Sequence, residues 1–295
     1  MINIAVIWGL IILFIMQPGI AHDGAEAGAK LFVHALLPYL LPYIILTQWL
    51  LKLPSTTKEI PKWRRFLKAY ILGSFGGFPV GAVTVSEMVK NEELSRKQGS
   101  ILLAACHAPG PMFVIGFVGT ELFGDVGSGY KLLAAIHIVN VLFFLIALRF
   151  LPTDSEIASP ISKPLQKKNG MPFLEAIKES STVIILVATT VIFFSSLGMV
   201  LTSVLSNAFT VDLGIVKTMV LSIFEMTSGV QSATDHFYGQ AFFPFLIAAI
   251  LSMNGLSIHM QVVVIAKTAN ISMAPYVFGR IWSILLVPLV FYAIY

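Results

Sequence analysis

The sequence predicts an all-helical polytopic membrane protein built from two inverted repeats. Each repeat holds a transmembrane helix, a re-entrant helical hairpin, a broken helix and a further transmembrane helix. Three observations carry this expectation. Of 295 residues, 57% are hydrophobic and 12% charged, and the mean hydropathy is +0.86; soluble domains carry about 25% charged residues. Helix breakers interrupt apolar sequence twice in each half: GSFGGFPVGA (73–82) and CHAPGP (106–111), then FEMTSGVQSA (224–233) and SMNGLSIH (252–259). Backbone outside a helix is costly in hydrocarbon and persists only where it lines a cavity or is buried in protein. Basic and base-poor loops also alternate along the chain, and basic loops favour the cytoplasm.

The elements follow in order. A span needs about 20 predominantly apolar residues. Residues 3–20 are the first candidate; no Lys or Arg precedes them, so they read as a retained span rather than a cleaved signal. A loop at 22–29 carries Asp23 and Glu26. Residues 30–52 return, with kinks expected at Pro38 and Pro42. The loop at 52–68 is basic through Lys58, Arg64, Arg65 and Lys68. A hairpin at 68–90 turns at Gly76-Gly77-Phe78-Pro79 and comes back to basic Lys90, Arg96 and Lys97. Residues 98–121 cross outward, broken at Pro109-Gly110-Pro111, and 128–150 cross back.

The second half repeats the pattern in the opposite sense. Residues 181–205 cross. A hairpin at 215–236 turns at Thr227-Ser228-Gly229. Residues 241–267 are broken at Asn254-Gly255, and 276–294 exit. The divisions are 1–27 (first helix and external loop), 28–150 (first repeat), 151–172 (a polar, proline-rich cytoplasmic linker) and 173–295 (second repeat). The N-terminus lies in the cytoplasm and the C-terminus outside.

Composition also excludes. Cys106 is the single cysteine, so no internal disulfide forms and no metal site built on cysteines is expected. A net charge of +4 with no recognition motif points away from nucleic acid. No phosphate-binding loop, zinc-protease motif or nucleophile elbow is present, so no enzyme is expected. The expected partners are the bilayer, a small-molecule solute and, as an open option, a second copy of the chain.

Paired interruptions in two halves of a membrane chain point to a solute site. Gly76, Gly77, Phe78, Pro79 and Gly81 would leave helix-start amides free for an anion; alternatively the glycines only let helices pack closely. His107 and Gly110 lie at the second break. His107 titrates near neutrality when unperturbed and suits proton coupling, or it bonds a freed carbonyl. Glu225, in mid-membrane beside Thr227, Ser228 and Gly229, needs a partner or a proton and is the main candidate for coupling to H⁺ or Na⁺. Asn254, Ser257 and Gln261 offer donors and acceptors at the fourth break, or serve as polar glue with His259. Arg280 and Lys267 read as topology-setting charges. No resident cofactor or metal is expected.

The block AGAKLFVHALLPYLLPYIILTQWL, then GGFPVGA with VSEM, then C-x-x-x-GP-x-F-x-x-G, resembles the YlbJ-type sporulation integral membrane protein family. FEMTSGV and NGLSIHMQV fit the same pattern, and the likeness covers residues 28–295. The resemblance implies membership of the nucleoside-recognition or Gate-domain group, related to concentrative nucleoside transporters. It implies transport of a small polar or anionic solute: an aromatic dicarboxylate such as dipicolinate, or a nucleoside-like compound. It places the chain in a bacterial cell or forespore membrane. Where the family has Asn-Asn-Ser before its Gly-Pro, this chain has His107-Ala108-Pro109, so solute or coupling ion would differ. The alternatives are a non-transporting assembly protein of the spore-maturation type and a passive channel.

Overall fold

A computed structural model describes residues 2–53, 61–150, 171–208 and 212–295. All regular structure among them is helical. Helix α1 (Ile2–Met16) ends at Gln17, and α2 (Pro18–Leu31) starts with a proline in its first turn, where the missing N–H costs nothing. A π-helical turn at Phe32–Leu36 carries α2 into α3 (Leu37–Lys52). Together they make one apolar run of 35 residues, Pro18–Lys52.

The loop expected at 22–29 is therefore helix. Its glycines explain why. A Cβ at Gly28 would lie 2.7 Å from the Ser195 Cβ, and one at Gly24 2.8 Å from the Ser196 Cα. Small residues four apart let two helices meet closely in a membrane. Ser196 Oγ also donates to the Ala21 carbonyl at 2.6 Å. Asp23 and Glu26 sit on the opposite, exposed face, and Glu26 pairs with Lys30 four residues on, at 2.7 Å.

Helices α4 (Lys62–Gly76) and α5 (Val80–Lys90) form the first hairpin. Helix begins at Lys62, so Arg64, Arg65 and Lys68, expected in a loop to 68, ride on α4; Lys58 lies outside the described residues. Lys68 pairs with Glu93 at 2.9 Å, and Arg65 donates to the Glu93 carbonyl at 3.1 Å. Helix α6 (Arg96–Cys106) starts with a reciprocal Ser95–Gln98 capping box. After the break, a π-helical stretch at Phe113–Leu122 leads to α7 (Val126–Ala147), capped by Asp125.

The second half begins with α8 (Pro172–Ala208), longer than the expected span of 181–205. Helices α9 (Leu213–Phe224) and α10 (Met226–Phe237) form its hairpin. Helices α11 (Phe243–Met253) and α12 (Gly255–Lys267) are the broken pair, and α13 (Ala274–Ile294) follows. The second hairpin breaks at Glu225, not at Thr227-Ser228-Gly229; those three form the first turn of α10. Of the linker expected at 151–172, residues 151–170 lie outside the described residues, and Pro172 already belongs to α8.

Five described segments are long and apolar enough to cross a membrane: Pro18–Lys52, Val126–Ala147, Pro172–Asn207, Phe243–Lys267 and Ala274–Ile294. Large apolar side chains such as Ile185, Leu285 and Leu289 point outward, as a hydrocarbon surrounding requires. The two halves share one element order: long helix, hairpin, interrupted helix, long helix. Counterparts also pack on each other, α2 and α3 against α8, and α7 against α13. That pairing draws all four breaks toward the middle of the molecule.

Candidate functional site

Within each half the two breaks touch. Gly77 has φ +77°, and a Cβ there would lie 2.8 Å from the Gly110 nitrogen. A Cβ at Gly81 would lie 2.8 Å from the Cys106 carbonyl oxygen. The glycines between α4 and α5 thus seat the hairpin tip on the break after α6. In the second half Asn254 adopts the left-handed conformation and Gly255 has φ +67°. A Cβ at Gly255 would lie 2.9 Å from the Met226 nitrogen. Here too the break of the interrupted helix abuts the hairpin tip.

Between the halves lies a narrow, partly open cleft. Phe78, Pro109 and Gly110 line it from the first half; Glu225, Met226, Thr227 and Gln261 line it from the second. Leu36, Leu40, Val187 and Val191 add apolar walls from the π-helical turn, α3 and α8. All four interrupted segments therefore approach one place, three of them lining the cleft directly and the fourth supplying Gln261 from the helix that it starts.

Glu225 is 1% exposed. Its carboxylate oxygens accept from the backbone amides of Thr227 at 3.1 Å and Ser228 at 2.6 Å. A carboxylate at a helix start meets two unpaired donors and the positive end of the helix dipole. This is how an acid is held in an apolar interior with no basic partner among the described residues. The first hairpin has no such cap. Its amides are turned inward instead: Gly81 donates to Gly77 O at 3.3 Å, and Ala82 and Val83 to Pro79 O at 2.9 and 3.2 Å. The cradle of free amides expected there is largely closed by its own turn.

The other expected residues divide. Gly76 packs on Val80, Pro79 caps α5, and Gly229 packs on Ser222. Ser228 Oγ bonds Ser195 Oγ at 2.8 Å, and Gln261 Nε2 donates to Thr190 Oγ1 at 2.8 Å. Ser257 is buried with its hydroxyl unpartnered. His107 is fully buried and does not line the cleft, but its ring lies 4.5 Å from that of Phe78, which does.

Arg280 is the residue that sequence reasoning misplaced. It is 5% exposed, inside α13, and no described carboxylate pairs with it. Its Nη2 donates to the Ala104 carbonyl at 3.1 Å. With the Asn254 amide turned so that its nitrogen donates to Leu251 O, the Asn254 oxygen accepts from Nη1 at 3.3 Å. The signal available in the sequence was a lone arginine four residues after Tyr276 in an apolar run.

The sporulation integral membrane protein YlbJ of Bacillus subtilis (strain 168) is 21% identical to this chain, over 90% of the chain and 76% of YlbJ. The chain is related to the YlbJ type. It is an integral membrane protein, as the apolar helices and this likeness to YlbJ agree. No protein-family model matches it, and no solved structure does. The likeness covers 90% of the chain and so includes sequence from both interrupted halves.

Proposed function

We propose that the chain is a secondary transporter of a small polar or anionic solute, an aromatic dicarboxylate or a nucleoside-like compound, coupled to H⁺ or Na⁺. The observation that carries this reading is the meeting of interrupted helices from both halves on one cleft, with Glu225 in its wall. Non-helical backbone within membrane-spanning sequence belongs where it lines a cavity, and paired interruptions mark the solute site of many secondary transporters. On this reading the repeats are inverted. The N-terminus and the loops at 52–68 and 151–172 face the cytoplasm, and the C-terminus lies outside. YlbJ is by name a sporulation protein; the same process, in a cell or forespore membrane, is proposed here.

Coupling falls to Glu225. Where the effective dielectric is low, an ionised carboxylate repels an anionic solute strongly. A cation or proton on Glu225 removes the repulsion and links the two binding events. The test is reconstitution into liposomes with a panel of carboxylates and nucleosides. Saturable flux that depends on a H⁺ or Na⁺ gradient is expected. Flux that rises linearly with concentration would indicate a channel, and no flux for any solute would favour an assembly role.

A further inference from the structure

Tyr276 gathers a second group of polar side chains behind the cleft wall. The His107 ring lies 5.3 Å from it, the His259 ring 5.6 Å, and the Arg280 guanidinium 5.6 Å. His259 Nδ1 bonds the Tyr276 hydroxyl at 2.9 Å. The rest of the group is short of partners. Both ring nitrogens of His107 and Nε of Arg280 are buried and make no hydrogen bond. Arginine carries five N–H donors, yet among the described residues two oxygens, from Ala104 and Asn254, accept from this one.

A buried cation with no counter-ion is costly, and structural arginines in protein interiors are paired. Among the described residues no carboxylate supplies that partner to Arg280, which is 5% exposed. Phe78 joins the two regions, since it lines the cleft and contacts His107. The cleft itself is apolar apart from Glu225, Thr227 and Gln261. The chemistry that fits both is an apolar body in the cleft with one anionic head reaching past Phe78. A single guanidinium matches a carboxylate in charge and in planar two-point geometry; a phosphate with two charges would be left half compensated.

We infer that Arg280 is the carboxylate-binding residue of the solute site, assisted by the unpartnered His107 ring, and that the solute is an apolar-bodied organic acid. This rests on the cleft being the solute site, and it selects the acid over the nucleoside.

The test is binding to the purified full chain in detergent micelles, read by thermal shift and by equilibrium titration. The probes are benzoate, its neutral isostere benzamide, phenyl phosphate and adenosine. Benzoate should raise the melting temperature and the others should not. Arg280→Met should abolish the benzoate response while leaving the ligand-free melting temperature equal or higher, because it removes an uncompensated charge. Arg280→Lys keeps the charge and loses the planar fork, so benzoate should bind it at least tenfold more weakly. Three results would overturn the inference: no benzoate response in the natural protein, equal response to benzamide or a stronger one to phenyl phosphate, or unchanged benzoate affinity in Arg280→Lys. A lower ligand-free melting temperature in Arg280→Met would assign Arg280 a structural role, and the inference would then stand or fall on Arg280→Lys. Benzoate binding with no flux in liposomes sinks the transporter reading and leaves the subsite; ion-dependent adenosine flux with no benzoate binding does the reverse.

Discussion

Gly77 and Gly110 meet backbone to backbone, so closely that a methyl group on Gly77 would fall 2.8 Å from the Gly110 nitrogen. The contact joins a hairpin tip to a broken span. It also holds Gly77 at φ +77°, ψ −171°, a region essentially reserved for glycine.

Gly77→Ala should therefore destabilise the chain by about 1–3 kcal/mol from backbone strain alone, with the clash against Gly110 added. Thermal unfolding in detergent measures it. Gly19→Ala is the control, since that site has open space around it and alanine favours helix. An equal loss at both positions would remove the role given to the Gly77 contact.

Glu225→Gln mimics the protonated carboxyl. It should keep solute binding and lose the dependence of flux on pH or Na⁺. If ion dependence survives, the coupling group lies elsewhere and His107 is next. Glu225→Ala removes both caps from α10, and loss of an N-cap costs about 0.5–2 kcal/mol; a drop in melting temperature beyond that of Glu225→Gln would show the cap at work.

The orientation can be read by labelling. With Cys106 replaced, single cysteines at Lys58 and Asp125 should react with an impermeant reagent from opposite faces of the membrane. Labelling of both from the same side would refute the topology.

Asp125 supplies a pH test outside the membrane. Its carboxylate accepts from Ser128 Oγ at 2.6 Å and from the Ser128 and Gly127 amides at 2.8 and 3.0 Å. The Ser128 side chain first, then the amides, hold its pKa below the ordinary aspartate value. The folded value being the lower, its stabilisation is complete above the unfolded value and fades as pH falls through the folded one. Melting temperatures of the natural protein and Asp125→Ala should thus differ at neutral pH and converge in acid. A gap that stays constant down to acid pH would mean that the cap is not carried by the charge.

The breaks were legible because glycine and proline inside apolar runs have few other uses. Their partners were not. Thr227-Ser228-Gly229 looks like a turn, yet a carboxylate just before it makes the triplet a helix start, and only the placed Glu225 oxygens decide between the two. Residues 22–29 carry charges and glycines and read as a loop, while the same glycines serve as a packing face once Ser195 and Ser196 lie opposite. Arg280 sits one residue after Gly279, where a Cβ would lie 3.0 Å from the Ala104 Cβ. That contact presses α13 onto α6 and buries the guanidinium. No periodicity within 276–294 reveals what a helix 170 residues earlier will do.

The contacts of Gly77 with Gly110 and of Gly255 with Met226 also restrict how the molecule can move. Each ties a tip to a break within one half, and neither ties the halves to each other. A motion that keeps both contacts carries each tip and its neighbouring break as one piece. On the proposed transporter reading the cleft then widens or shuts along the seam where Phe78 and Pro109 stand opposite Met226 and Thr227, and a crosslink across that seam should stop flux while a crosslink within either half should leave it unchanged.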